Sequence, residues 1–271
     1  MLGNIVLGQY IPGNSLIHKL DPRVKILLSI VYMMALFFAW NYLSIIVVTL
    51  SVLALMFLSK IPVKLYIKST KVIILFMILS AFLNLFYGEG EPIFKIGFIS
   101  ITQQGIQNSI LVVLRIIDLI FISSILMFTT SPNDITFAIE SLMKPLEKIK
   151  VNVQEIAMMM TIALRFIPTF LEETDKIMSA QKSRGAKFND KSMIKRIKAL
   201  IPILMPLFVS AFRRACDLAL AMDCRCYDSS KRRTRMKTLK IGRIDIFAII
   251  FLIVLFVGVI ICSKMKNIAI I

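Results

Sequence analysis

Five predominantly apolar stretches constrain this chain more than any other feature. They run Val24–Trp40, Leu43–Ser59, Val72–Tyr87, Ile110–Phe128 and Ile246–Cys262. Each has about 16–19 residues, near the lower end of what an α-helix needs to cross a ~30 Å hydrocarbon core. The chain is 58% hydrophobic over 271 residues. A soluble domain of that length does not carry so much apolar content, so the stretches read as transmembrane helices. Trp40-Asn41-Tyr42 makes a tight connection with aromatic residues suited to the membrane interface, so the first two spans read as a helical hairpin. The first twenty residues contain Asn4, Gln9, Pro12, Asn14 and Lys19 and lack the apolar run of a cleaved signal peptide.

Loop charge sets the expected orientation. Lys19 and Arg23 precede the first span; Lys60, Lys64, Lys68 and Lys71 lie between the second and third; Glu89, Glu91 and Lys95 lie between the third and fourth. Basic residues collect on the cytoplasmic side, which puts the N-terminus and the lysine segment inside and the Glu-bearing loop outside. Thr129 to Arg243 is then cytoplasmic, and the last span leads out. Lys264 and Lys266 in the tail run against the rule. The net charge of +17 also raises nucleic acid or anionic lipid as partners. The run Lys231-Arg232-Arg233-Thr234-Arg235 suits a lipid surface, but it lacks interleaved aromatic residues for base stacking, so a nucleic-acid role is set aside.

The region inserted before the last span holds 22 Lys and Arg against 11 Asp and Glu. Ser131-Pro132-Asn133-Asp134 is a helix start with a serine or aspartate to cap it. Val153 to Arg184 is a long helix by the spacing of Ile156, Ala157, Met160, Leu164, Ile167 and Leu171, with Pro168 as an expected kink and Gly185 as its left-handed stop. A second helix is expected from Lys191 to Asp223, interrupted at Pro202 and Pro206. Its middle, Ala199 to Ala211, is apolar enough to pack on the spans or lie in the interface. Ser229 to Lys240 is a basic linker to the last span. The expected fold is therefore an all-α membrane protein: a membrane domain of four spans (1–129), a helical cytoplasmic domain (130–243), and a fifth span with a short tail (244–271).

Catalytic chemistry finds no footing. No glycine is followed by lysine, so there is no phosphate-binding P-loop; there is no H-E-x-x-H and no G-x-S-x-G. The four cysteines, Cys216, Cys224, Cys226 and Cys262, form no C-x-x-C, and His18 is the one histidine, which argues against a metal site. Three of those cysteines lie in the basic region, as expected of reduced thiols facing the cytosol. Arg115 and Asp118 fall inside the fourth span, where a charge costs at least ~2.5 kcal/mol and needs a partner. Three residues apart, they share a face and can pair, either as a structural ion pair or as part of an interface or polar path.

The polar region repeats a small signature, alanine then arginine four residues later: Ala180 with Arg184, and Ala221 with Arg225. The alanine lies one turn back on the same face and admits a close neighbour; the guanidinium offers a planar fork to carboxylates or carbonyls. The alternative is two solvated basic helix ends favoured by the helix dipole. Their recurrence on two helices favours a two-pronged docking device.

The combination resembles the transmembrane coupling (T) component of energy-coupling factor transporters, importers of vitamins and transition metals. "GQYIPGNSLIHKLDPRVKIL" (Gly8 to Leu27) is similar to that family's N-terminal stretch, and "LRIIDLIFISSILMFTTSPNDI" (Leu114 to Ile135) to its fourth span. "TIALRFIPTFLEETDKIMSAQKSRG" (Thr161 to Gly185) and "FRRACDLALAMDCRCY" (Phe212 to Tyr227) are similar to its two coupling helices. The resemblance implies that each coupling helix ends in an Ala-Arg-Gly type signature docked in a groove of one of two ABC-type ATPase subunits. Ser183-Arg184-Gly185 matches with serine for alanine; Cys224-Arg225-Cys226 matches only at the arginine. Cysteine enters the left-handed conformation less readily than glycine, so the second helix is expected to end differently or continue. The resemblance further implies a non-catalytic subunit that binds no cofactor, ATP and Mg held by the two ATPases, and a small substrate-capture membrane subunit, shared or dedicated to one system such as cobalt/nickel or biotin. A stand-alone secondary transporter or channel is the competing class, but five spans do not divide into two inverted halves.

Overall fold

The computed structural model describes residues 10–86, 92–96, 99–186, 192–228 and 241–268. The linker Ser229 to Lys240 and the loop acids Glu89 and Glu91 lie outside the described residues. The chain divides into two compact units, Gly8–Ser141 joined by Leu239–Ile271, and Leu142–Thr238.

The first unit holds α1 (Leu16–Lys19), α2 (Pro22–Phe38), α3 (Tyr42–Ser59), α4 (Val63–Phe86), the strands β1 (Pro92–Ile96) and β2 (Ile99–Thr102), α5 (Gln103–Thr129), most of α6 (Pro132–Met143) and α9 (Arg243–Ile268). The starts follow local chemistry. Asp21 caps α2 by accepting from the Arg23 amide at 2.9 Å, with Pro22 in the first helical position. Ser131 accepts from the Asp134 amide at 3.2 Å and donates to its carboxylate at 2.7 Å, which opens α6. Thr102 accepts from the Gly105 amide at 3.1 Å at the head of α5. Gly105 is required there by contact: a Cβ would come within 2.5 Å of the Leu85 carbonyl oxygen, so only a bare backbone lets α5 begin against the end of α4. Ser109, one turn on, donates to the Ala81 carbonyl at 2.8 Å.

The core of this unit joins α2, α3, α5 and α9 through Tyr32, Leu36, Val48, Val52, Ile122 and Val259. A second cluster sets Tyr66 edge-on against Phe121 and Phe128. Polar groups tie one end of the bundle together. The buried Asp245 carboxylate accepts from the Asp21 amide at 2.8 Å and the Gly242 amide at 2.7 Å. The buried Lys25 ammonium donates to the Thr129 carbonyl at 3.0 Å. The entries to α2 and α9 and the exit of α5 are thus fixed to one another by bonds that a low-dielectric setting makes costly to lose. At the other end, the Asn41 side-chain amide donates to the Cys262 and Ser263 carbonyls, both at 3.1 Å.

An all-α membrane protein is what the chain forms, with one addition and three corrections. The addition is an antiparallel hairpin pairing Ile96 with Ile99 and Pro92 with Thr102, in the stretch read as a plain loop. The third span is longer than expected: α4 starts at Val63, so Lys64, Lys68 and Lys71 ride on its first turns instead of lying in a loop. Their four- and three-residue spacing keeps them on one face, and the flexible stems allow the charges to reach polar surroundings. Pro202 and Pro206 do not interrupt their helix. They stand one turn apart, so the missing donors fall on one face and the remaining ladder continues through. Finally, six described helices are long and apolar enough to cross a membrane: α3, α4, α5, α9, α7 (Val153–Ser183) and part of α8 (Met193–Asp223). Length and composition therefore do not by themselves separate α7 and α8 from the spans, and α2, with 17 residues, is shorter than all six.

The second unit is built on α7 and α8, preceded by a 3-10 segment, Lys144–Ile149, that ends at Lys150 in the left-handed region. Asn152 precedes α7, and its carbonyl accepts from the Glu155 and Ile156 amides. Pro168 sits inside α7 without ending it.

Candidate functional site

Both arginines of the repeated signature stand at helix ends, and the two ends are built alike. In α7 the Gly185 amide donates to the Lys182 carbonyl at 2.9 Å and the Ala186 amide to the Gln181 carbonyl at 3.0 Å. In α8 the Cys226 amide donates to the Asp223 carbonyl at 2.9 Å and the Tyr227 amide to the Met222 carbonyl at 3.1 Å. These paired bonds define a Schellman cap, which needs a left-handed residue just past the last helical turn. Gly185 fills that place at φ +86° and Cys226 at φ +54°. The expectation that cysteine would change the second helix end is thus corrected. The hydrogen bonds are the same because they are set by the backbone, and cysteine carries a conformational cost of about 1–2 kcal/mol to occupy the position.

The consequence for the arginines is positional. Arg184 and Arg225 each occupy the last residue before the left-handed turn, with Ala180 and Ala221 one turn back. Ala180, Ser183, Arg184 and Gly185 are exposed, as are Ala221, Cys224, Arg225 and Cys226. The tips therefore present their backbone turns and guanidinium groups at the surface of the chain.

Each tip ends a separate helix. The helices themselves meet further back. The Arg214 guanidinium donates to the Glu173 carboxylate at 3.0 Å and lies 5.9 Å from the Phe170 ring centre. The Tyr227 hydroxyl, beyond the end of α8, donates to the Met158 sulfur near the start of α7 at 3.2 Å. The helices thus run in opposed senses from their contact. Leu204, Met205, Phe208 and Ala211 of α8 and Phe170 of α7 line a shallow apolar groove beside that contact. Ile201, Leu204, Met205 and Phe208 are all more than half exposed, at helical spacing along one stripe.

Arg115 and Asp118 of α5 do not bond to each other. Arg115 donates to the Ala39 carbonyl at the end of α2, at 2.8 Å. Asp118, buried, accepts from the Thr49 hydroxyl of α3 at 2.7 Å. Although one turn of α5 separates them, each finds a closer partner on a neighbouring helix. Sequence spacing showed that they could meet; it carried no information about Ala39 or Thr49.

Known proteins resemble this chain along nearly its whole length. Residues 13–236 match the family described as cobalt transport protein. A relative from Ruminiclostridium cellulolyticum, named energy-coupling factor transporter transmembrane protein EcfT, is 50% identical over 91% of this chain and 92% of its own length. Its counterpart from Thermosediminibacter oceani, with the same name, is 46% identical over 94% and 96%, and that from Bacillus subtilis 41% over 94% and 97%. The chain belongs to the family of transmembrane proteins of energy-coupling factor transporters. It is accordingly a multi-pass membrane component of such a transporter. Residues Glu173 and Arg214, which join the two tip-bearing helices, were not singled out by motif. One signal was available: they stand 41 residues apart, as Arg184 and Arg225 do.

Proposed function

We propose that this chain is the coupling subunit of an energy-coupling factor importer, with Arg184 and Arg225 docked in grooves on two ABC-type ATPase subunits. The observation that carries this reading is the equivalence of the two tips: two exposed helix ends, capped by the same hydrogen bonds, each holding an arginine at the same place. A pair of matched prongs suits a pair of matched sockets. A guanidinium at a helix C-terminus also benefits from the local dipole while its fork remains free for a carboxylate or carbonyl on the partner.

In this reading residues 1–129 and 244–271 form the membrane part, residues 130–243 the coupling domain, and the N-terminus and both tips face the cytoplasm. ATP and Mg reside on the ATPases, and this chain supplies no catalytic group and no cofactor site. Closure and reopening of the ATPases move α7 and α8. A small capture subunit rests on apolar surface, for which the exposed stripe Ile201 to Val209 and, elsewhere on α7, Met159 and Met160 are suited. Its reorientation releases a vitamin or similar micronutrient inward. Arg115 and Asp118 act as structural polar ties between α5 and its neighbours α2 and α3.

Native thiols give a direct test. Cys224 and Cys226 flank Arg225 and are exposed, as is Cys216 two turns back on α8. A maleimide added to the isolated chain labels all three. In an assembly purified with two ATPases, Cys224 and Cys226 are protected. Equal labelling rates at Cys224 and Cys226 with and without the ATPases would remove the docking assignment.

A further inference from the structure

The 41-residue offset that relates the arginine tips also relates residues that touch. Glu173 and Arg214 are equivalent positions of the repeat, and they bond each other at 3.0 Å. Phe170 and Ala211 are equivalent too, and both line the same groove. When equivalent positions of two copies meet, the contact lies on a local two-fold axis, as in an isologous interface. Each arginine tip is 11 residues beyond its member of the bridge: Glu173 to Arg184, and Arg214 to Arg225. At 1.5 Å per residue that is ~16 Å of helix on each side, which sets the tips at most ~33 Å apart and equidistant from the bridge.

We propose that the Glu173–Arg214 bridge, with Phe170 against the guanidinium, is the pivot that fixes the separation of the two tips. This inference deepens the coupling role stated above, but its central measurement does not depend on that role. Arg214 is suited to the task. Its fork reaches the carboxylate while its central carbon stands 5.9 Å over the Phe170 ring, two interactions that together restrict rotation about the crossing. Its Nε also stands 3.5 Å from the Ser210 hydroxyl one turn back. The bridge is partly shielded, with the side chains of Arg214 and Glu173 37% and 23% exposed, so it is less screened than a surface pair. Among the described residues, α7 and α8 also share the Tyr227–Met158 contact, a weaker hydroxyl–sulfur bond. Arg214 is on this proposal a positioning residue, acting through the separation of the tips.

The test places spin labels at Ser179 and Leu220, exposed and again 41 residues apart, in the full chain in lipid nanodiscs with the native cysteines replaced by serine. The inter-label distance distribution is read by pulsed electron spin resonance. The unaltered pair gives one narrow distribution. Arg214→Ala and Glu173→Ala each broaden it at least twofold, Arg214→Lys broadens it less, and the charge exchange Glu173→Arg with Arg214→Glu restores most of the narrowing. Widths unchanged in both alanine variants overturn the pivot, whatever the tips dock against. Broadening that the charge exchange does not reduce also overturns it, since a general loss of helix packing would behave that way. In the assembly with ATPases, Arg214→Ala raises ATP hydrolysed per substrate imported at least threefold without loss of ATPase association. If Arg184→Ala and Arg225→Ala leave that association intact, the docking role fails while the tip-distance result still stands.

Discussion

The end of α7 and the end of α8 reach one geometry from different residues. Gly185 enters the left-handed region at no steric cost, and the space about it is open, with nothing within 4 Å of where a Cβ would sit. Cys226 enters the same region as an L-residue with a full side chain. The bonds from positions 185 and 186 at one tip, and from 226 and 227 at the other, nevertheless span the same offsets. What the two ends share is the arginine and the cap around it; what they do not share is the glycine. The motif is thus a backbone arrangement that places a guanidinium, and glycine is one way to reach it.

The largest effect should come from the shared element. Arg184→Ala and Arg225→Ala each remove one member of what we propose is a desolvated charged contact, which typically costs ~2–5 kcal/mol. Either change should weaken ATPase association by about thirtyfold or more, and the double change should abolish it, while the chain still inserts in the membrane. Surface-binding measurements of detergent-purified chain against the ATPases check this. A large loss from one arginine and none from the other would show that the two ends are alike in form only.

Proline tests the cap itself. Its ring holds φ near −65° and it has no amide hydrogen, so neither demand of position 185 or 226 is met. Gly185→Pro and Cys226→Pro each lose the bond to the carbonyl of Lys182 or Asp223 and should unravel the last turn, at roughly 3 kcal/mol of local stability. Hydrogen exchange at the final helical amides reads this out, and equal loss at both tips is the expected result. Loss at Gly185 alone would break the equivalence.

The contrast between tips also marks what could be read in advance. Helix ends are local: Ser131 before Pro132, Gly185 after α7, and the alanine–arginine spacing all carry their meaning within a few residues, and all lie where expected. The helices of the first unit were legible through predominantly apolar runs, although the same measure also admits α7 and α8 and leaves out the 17-residue α2. The partners of Arg115 and Asp118 were not, because Ala39 and Thr49 belong to other helices. The start of α4 was missed because lysine marks a membrane boundary by charge but does not end a helix. Pro202 and Pro206 misled because proline removes one bond each, which a long helix tolerates. Glu173 and Arg214 look like ordinary charges on ordinary helices until the repeat offset is applied to them.

A smaller effect separates the tips by conformation alone. Gly185→Ala adds a Cβ in open space, so its cost is the left-handed backbone without any clash, about 1 kcal/mol. Protection of the Gln181–Gly185 turn should fall about fivefold, with docking retained because the arginine keeps its place. Gly185→Cys, which gives the first tip the residue of the second, should behave the same way. If either change abolishes docking, the glycine of the first tip has a role that the second tip does without.

The smallest expected effect runs in the opposite direction. Cys226→Gly relieves a left-handed L-residue of about 1–2 kcal/mol. Glycine returns part of that through its freer unfolded chain, about 0.4–1 kcal/mol. The remainder, about 0.5–1 kcal/mol, should slow exchange at the amides of residues 226 and 227 by a few-fold. ATPase association should stay within twofold of the parent, since the Asp223 and Met222 carbonyls keep their donors. Cys226 is exposed and forms no disulfide, so no packing or cross-link is lost to obscure the sign. Faster exchange in Cys226→Gly would mean that the thiol makes a contribution at this turn larger than the strain it imposes, and the two caps would then differ in more than the ease with which each is formed.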